Sequence, residues 1–238
     1  MTQSLQSTVI LPISHKEVVI QEGDGYLDRI LLKKNKRVFE VMPEYLAAHV
    51  VSIDGRGEIK EKDILDLLVP DQEWLAVELY KLKYDQIMEL TFGCPHCGHV
   101  DTDKGLDLGK LEVIPVPEGA VGPDPTFEVV LPRSGKKARI GFLDGHKERF
   151  LMELEASTGG DIDLNQADFK ALRELDGVSV FSYEDVAMLP PKDHAVIRRA
   201  RKKLICGYDT NVIVECDSCG RKTVINILTH RDFLLPGG

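Results

Sequence analysis

The chain has 238 residues, of which 43% are hydrophobic and 29% charged, and its formal net charge is −9. These proportions exclude disordered, collagen-like and disulfide-scaffold classes and fit a globular protein with a sizeable core, in one large domain or two small ones. The negative balance disfavours nucleic acid as the main partner, because neutralising phosphates needs an excess of Lys and Arg on the binding face.

The opening MTQSLQSTVILPISHKE has no basic region followed by a long apolar core, and no apolar run approaches the roughly 18 residues that span a bilayer. The expected location is therefore cytoplasmic, with no membrane partner. The β-branched run Ser7 to Ile20, broken at Pro12-Ile13-Ser14, predicts a β-hairpin. Glu40 to Val50 carries apolar residues at three- and four-residue spacing and predicts a helix, with Pro43 near its start. A turn signal follows at Asp54-Gly55. Asp71 to Lys83 predicts a stronger helix, with Leu75, Leu79 and Leu82 on one face and Pro70 suited to its start. Ile87 to Phe92 then reads as a strand leading into Cys94-Pro-His-Cys97-Gly98.

The prolines and glycines of Ile114 to Pro125 cannot continue a helix or a central strand, so this stretch reads as a linker. Beyond it the same order returns. Phe127 to Phe142, broken at Arg133-Ser134-Gly135, predicts a hairpin and His146 to Glu155 a helix. Asp176-Gly177 is a turn signal. Asp193 to Ile205, preceded by Pro191, predicts a helix with Ile197, Ala200 and Leu204 on one face. Val212 to Val214 and Thr223 to Leu228 read as strands flanking Cys216-Asp-Ser-Cys219-Gly220.

The recurrence is residue by residue. At an offset of 216 − 94 = 122, Asp54-Gly55 matches Asp176-Gly177, Asp63 matches Asp185, Leu67 matches Leu189, and Asp71 matches Asp193. Lys81-Leu82 likewise matches Lys203-Leu204, and Gly98 matches Gly220. Upstream the offset is 120, aligning Val9-Ile10-Leu11-Pro12 with Val129-Val130-Leu131-Pro132 and Asp24-Gly25 with Asp144-Gly145. Arg29 and Leu31 then align with Arg149 and Leu151. A chance second CxxC would not bring matched turns and apolar positions with it. The expected fold is α+β, an internally duplicated unit of β-hairpin, helices and zinc-knuckle hairpin. Residues 1–110 form the first repeat, 111–126 the linker, and 127–238 the second repeat with a C-terminal tail.

Four of the five cysteines lie in the two CxxC pairs of a chain without an export signal, which favours metal thiolates over disulfides. Cys94, Cys97, Cys216 and Cys219 supply the four soft ligands that tetrahedral Zn²⁺ prefers, closing its coordination and leaving no open catalytic position. Each knuckle ends in a glycine, Gly98 or Gly220, that can take the positive φ of the turn. The expectation is one structural Zn²⁺ in a zinc-ribbon-like site with pseudo-two-fold symmetry, joining two units whose cores are otherwise separate. Iron in an Fe(Cys)₄ site would use the same ligands, and one pair alone would also suit redox chemistry. His96 and His99 flank the first knuckle but have Ser218 and Arg221 as counterparts, so both read as surface residues. Cys206 lies in an apolar stretch and reads as a buried small hydrophobe.

Catalytic motifs are missing from the chain, which points away from an enzyme and from a small-molecule substrate. Ser134-Gly135-Lys136 has Val130 where a phosphate loop needs glycine, and reads as a hairpin tip. The basic run Arg198, Arg199, Arg201, Lys202, Lys203 reads as a solvated helix face, with Glu78 and Tyr80 in the first repeat at the positions of Ala200 and Lys202. The alternative is a zinc-ribbon nucleic-acid-binding module that uses this run.

Taken in order, the Val130-Leu-Pro-Arg-Ser-Gly-Lys136 hairpin, Leu143-Asp-Gly-His-Lys-Glu148, both knuckles from Leu90 to Gly98 and Val214 to Gly220, and the closing Asp232-Phe233-Leu234 carry a resemblance. The chain resembles the baseplate hub assembly chaperones and related baseplate proteins of contractile bacteriophage tails and phage-tail-like injection systems. The likeness spans nearly the whole chain, apart from Ala156 to Gln166. It implies a chaperone or minor structural component acting by protein binding, with hub, spike or tail-tube proteins as partners. It also implies action in the cytoplasm of the producing bacterium, with or without retention in the assembled baseplate.

Overall fold

The computed structural model describes residues 4–31, 38–118, 125–157, 168–169, 171–180 and 183–234. Helices and small antiparallel sheets alternate along the chain, in agreement with the expected α+β class. Strands β1 (Gln6–Ile10) and β2 (Glu17–Gln21) form the first hairpin, burying Val9, Val18 and Ile20 by the period-two alternation of a half-covered sheet. Helix α1 (Val38–His49) runs directly into β3 (Val50–Ile53), which pairs with β2 across a bulge between Val19 and Ile20. Helices α2 (Glu61–Leu65) and α3 (Val69–Tyr84) follow, then the hairpin β4 (Ile87–Gly93) and β5 (Val100–Asp107), and a short strand β6 (Val113–Ile114).

The second half follows a similar order. It contains β7 (Thr126–Val130), β8 (Lys137–Gly141), α4 (Gly145–Ser157), β9 (Leu172–Leu175) and β10 (Val178–Ser179). Helices α5 (Tyr183–Ala187) and α6 (Pro191–Arg201) come next, then β11 (Gly207–Tyr208), β12 (Asn211–Glu215), β13 (Lys222–Asn226) and α7 (Arg231–Leu234). Relative to the first half, β10, β11 and α7 are added, and β6 has no counterpart among the described residues. Strand β9 joins the β7–β8 hairpin across a bulge between Arg139 and Ile140, the positions that match Val19 and Ile20.

Several local devices occur once in each half. The turns after β3 and β9 put both central residues in the left-handed region, Asp54 and Gly55 at φ 48° and 75°, Asp176 and Gly177 at 50° and 77°, as a type I′ reversal requires. Each turn aspartate accepts the N–H of the residue opening the middle strand, Glu17 to Asp54 at 2.9 Å and Lys137 to Asp176 at 2.8 Å. At the head of the long helix a buried aspartate reaches back to the first hairpin. Asp71 accepts the N–H groups of Ile13 and Ser14 at 3.0 and 3.1 Å, and Asp193 those of Arg133 and Ser134 at 2.8 and 3.0 Å. After each knuckle hairpin a 3-10 turn is capped in the same way, by Asp107 on Gly109 and by Asn226 on Leu228.

The expectation of separate cores is not met. The largest apolar cluster gathers Leu11, Leu46, Leu75, Leu79, Met88 and Leu90 from the first half together with Val214, Cys216, Ile227 and Phe233 from the second. A two-stranded hairpin cannot bury its own inward face, so β12–β13 lays Val212, Val214 and Ile225 onto the first half of the chain. The cluster built on Leu131, Ile140, Phe169, Leu172 and Ile197 belongs to the second half alone, while Ile13, Leu68, Phe142 and Cys206 form a third along the seam. Cys206 is buried, as its apolar neighbours predict, and burial pushes its thiol up to about 12.

Polar contacts reinforce that seam. Val69 N–H donates to the Leu143 carbonyl at 2.7 Å and Gly145 N–H to Leu67 at 3.3 Å, while His146 meets Asp66 and Arg149 meets Glu61. Gly145 is required by this approach, because a Cβ there would lie 2.9 Å from the Leu65 Cα. Tyr208 stacks on Trp74 with centroids 3.9 Å apart, donates its hydroxyl to Glu78 at 2.5 Å and accepts from Lys81 at 2.8 Å. The segment read as linker also differs from expectation at its start, where Val113 and Ile114 pair antiparallel with Tyr208 and Gly207. Its residues 119–124 lie outside the described residues, as does most of Ala156 to Gln166.

Candidate metal centre

The two knuckles are built alike because each strand pair must reverse within a few residues. In the first, Cys94 N–H donates to the His99 carbonyl at 2.8 Å and Gly98 N–H to the Cys94 carbonyl at 3.0 Å. In the second, Cys216 N–H donates to Arg221 at 3.0 Å and Gly220 N–H to Cys216 at 2.9 Å. Gly98 and Gly220 sit at φ 73° and 67°, where a Cβ is disfavoured by the backbone itself.

All four predicted cysteines come together, their sulfurs within 4.8 Å of one another. The Cys94 and Cys219 sulfurs are 3.7 Å apart, as are those of Cys97 and Cys216, so both of these close approaches run between the knuckles. A disulfide needs about 2.05 Å, which leaves all four as thiols. A tetrahedral tetrathiolate with metal–sulfur bonds of about 2.3 Å has edges of about 3.8 Å, and the arrangement fits it. Each knuckle contributes one buried ligand, Cys94 or Cys216, and one exposed ligand, Cys97 or Cys219.

The electrostatics suit a cation. Burial raises the Cys94 thiol, but the N–H groups of His96 and Cys97, with neighbouring thiols, outweigh it and hold it down at about 7. Cys219 goes the other way: the Arg221 N–H lowers it, yet burial and the adjoining sulfurs push it up to about 12. Sulfurs packed this closely cannot all ionise without a positive charge among them, and a divalent soft metal displaces their protons on binding.

Neither histidine joins the group. His96 and His99 are exposed, as expected; His99 Nε2 lies 3.0 Å from the buried carboxylate of Asp101, and His96 faces Arg221. Asp101 accepts the Asp217 N–H at 3.2 Å, and Lys104 donates to Asp217 at 2.6 Å and to the Glu215 carbonyl. Asp101 and Lys104 therefore tie the first hairpin to the second knuckle beside the sulfurs. Sequence reasoning missed both, because they lie where β5 and β13 differ in length and no repeated motif marks them.

The basic run is dispersed. Arg198 binds the fully buried carboxylate of Asp168 at 3.1 Å, which His194 also meets at 2.8 Å, and Arg199 bonds the Ala195 carbonyl of its own helix. Lys202 and Lys203 are exposed. No helix among the described residues is long and apolar enough to cross a membrane.

No protein-family model matches the chain, and no curated protein or solved structure matches it at a significant level.

Proposed function

We propose that the protein is an internally duplicated, zinc-clamped binding protein that serves the assembly of a contractile-tail baseplate. The observation that carries the clamp is the sulfur tetrad drawn from two matched knuckles. Zn²⁺ is the metal that best suits four thiolates in a closed tetrahedron, and with all four ligands supplied by protein it acts by fixing structure. Duplication is supported by the devices that recur at offsets of 120 and 122, above all the paired bulges, the left-handed Asp-Gly turns and the buried aspartates Asp71 and Asp193.

The assembly role rests on the order and spacing of the two knuckles, the hairpin from Val130 to Lys136 and the closing Asp232-Phe233-Leu234. A rigid acidic body that acts by protein binding accords with that role. Its ligands would be hub, spike or tail-tube proteins, with no chemistry performed on them. Pairwise co-expression with each of these, followed by affinity capture and size-exclusion chromatography, tests the reading. A stoichiometric complex with at least one is expected; elution alone in every pairing would overturn it. The rival nucleic-acid reading is disfavoured by the engagement of Arg198 with Asp168, and a salt-dependent shift of DNA or RNA that is abolished by neutralising Arg199, Lys202 and Lys203 would revive it.

A further inference from the structure

Between the two knuckle hairpins lies a groove of about 520 Å³, walled by β5 on one side and β12 on the other. Each hairpin is a two-stranded sheet among the described residues, so both walls are strand edges. The direction of their backbone groups follows from the alternation of an antiparallel ladder. Cys216 pairs with Arg221 and Thr210 with Ile227 at hydrogen-bonded positions of the β12–β13 ladder, which turns the N–H and C=O of Asn211, Ile213 and Glu215 away from β13. In agreement, Asn211 N–H finds the Asp209 carboxylate and the Glu215 carbonyl finds Lys104. Ile213 lies between them with no hydrogen-bond partner for its N–H or C=O among the described residues. By the same alternation, the bond from Leu108 to Gln86 turns Gly105 and Asp107 outward from β5.

The matching edge on the other side of the metal centre is treated differently. Thr91, in β4, stands at the position equivalent to Ile213, and its outward N–H is taken by Asp232 of α7 at 2.5 Å, while Phe233 stacks on Tyr80 with centroids 5.0 Å apart. Among the described residues, one knuckle edge is therefore covered by α7 and the other by nothing. Uncovered edges pair readily with an added strand. Gly105 has no side chain to hold such a strand away, and Ile213 with Val224 opposite it supplies an exposed apolar pair, 66% and 63% accessible, beside the groove.

We propose that this groove receives an extended, basic segment of a protein partner as an added β-strand. The sign of the partner follows from the walls: among the described residues Asp107, Glu112 and Asp209 line the groove against one cation, Lys110, which is itself 3.2 Å from Asp107. The same balance disfavours a second copy of this chain, since pairing two such edges would set acid against acid. The identity of the partner is immaterial to this inference, so failure to bind hub proteins and failure of the groove are separate results.

The test uses the full, metal-loaded chain and a capped ten-residue peptide of alternating Val and Lys as probe. Fluorescence anisotropy should show binding that weakens about tenfold between low and high salt, and hydrogen exchange should show new protection at the Gly105, Asp107 and Ile213 amides. Ile213→Pro removes an N–H that β13 does not use, and should lose about tenfold in affinity with metal content unchanged. Glu112→Lys, at an exposed side chain, should weaken binding while leaving the fold intact. Equal binding of a Val–Glu peptide, wild-type affinity in both variants, or protection mapping elsewhere would overturn the proposal. Protection that rises with protein concentration in the absence of peptide would make a second copy the occupant and overturn it equally.

Discussion

Asp71 and Asp193 hold the same position in the two halves, yet their removal should cost different amounts. Each accepts two backbone N–H groups from the first hairpin of its own half, at 3.0 and 3.1 Å for Asp71 and at 2.8 and 3.0 Å for Asp193. Hydrogen bonds to a charged group contribute about 1.5–3 kcal/mol, and leaving a buried donor unpaired costs about 1–3 kcal/mol. Ile13 is 1% accessible and packs in the seam with Leu68, Phe142 and Cys206, so its N–H cannot turn to water when Asp71 is truncated. Arg133 and Ser134 are exposed, and their N–H groups rehydrate when Asp193 is lost. We expect Asp71→Ala to cost about 3–4 kcal/mol and Asp193→Ala about 1–2 kcal/mol. For a chain of this size these correspond to midpoint shifts of about 6–16 °C and about 2–8 °C. Calorimetry in metal-replete buffer at pH 7, with urea titration as a second measure, reads both. An Asp193→Ala protein as destabilised as Asp71→Ala, or an Asp71→Ala loss below about 1 kcal/mol, would refute the argument from burial.

Three further outcomes are expected. His49 is fully buried, donates from Nδ1 to the Tyr45 carbonyl at 2.8 Å and faces the Lys83 ammonium at 3.3 Å; burial first, and Lys83 after it, outweigh the Tyr45 bond and hold its pKa below the usual 6.5. Because the unfolded chain then binds the extra proton, stability is complete above pH 6.5 and declines as pH falls below it. On going from pH 7.5 to pH 5.5 the wild type should lose stability relative to a His49→Gln protein, and a His49→Gln protein with an unaltered pH dependence would count against this assignment. Glu73 lines a cavity of about 170 Å³ between α3, α4 and the Asn226 turn, and burial, aided by Glu148, pushes it up to about 7. A raised carboxyl leaves stability whole below pH 4.5 and erodes it as pH climbs through 7, so Glu73→Gln should gain about 1–3 kcal/mol at pH 8 and nothing at pH 4 in chemical denaturation. Tyr208→Ala removes the stacking partner of Trp74, the single tryptophan, and should red-shift its emission and cost about 2–3 kcal/mol; an unchanged spectrum would mean the clasp does not form.

What could be read from the amino-acid order was whatever local chemistry decides. The first hairpins follow from β-branched runs broken by turn residues, the Asp-Gly reversals from the left-handed pair they require, and the long helices from apolar spacing with proline at their start. The four sulfurs were legible because only their repetition and the glycine after each pair were needed to place them. Strand β3 was not legible. The helical pattern of Glu40 to Val50 runs into it without glycine or proline, and Val50 is a strand residue only because β2 offers it an edge. The pairing of Val113 and Ile114 with Gly207 and Tyr208 joins residues more than 90 positions apart and leaves no local mark. Helix α6 stops at Arg201, short of Ile205, because the chain must turn to place Cys206 in the seam and Tyr208 against Trp74. Separate cores were expected by treating each repeat as self-sufficient. The inward faces of β12 and β13 exceed what a hairpin can bury and find their cover on α3 and β4 of the other half. The sulfur tetrad thus sits on two halves already interlocked, and on the proposed reading loss of one cysteine should remove the metal and disorder the knuckles while leaving the two main clusters in place.

The most direct test of the shared metal centre is metal content per chain by native mass spectrometry, on the wild type and on Cys94→Ser and Cys216→Ser. One zinc per chain in the wild type, absent from both variants, is the predicted result. A wild type without metal, or a variant that keeps its zinc while lacking one knuckle's buried ligand, would contradict a single centre built from both repeats.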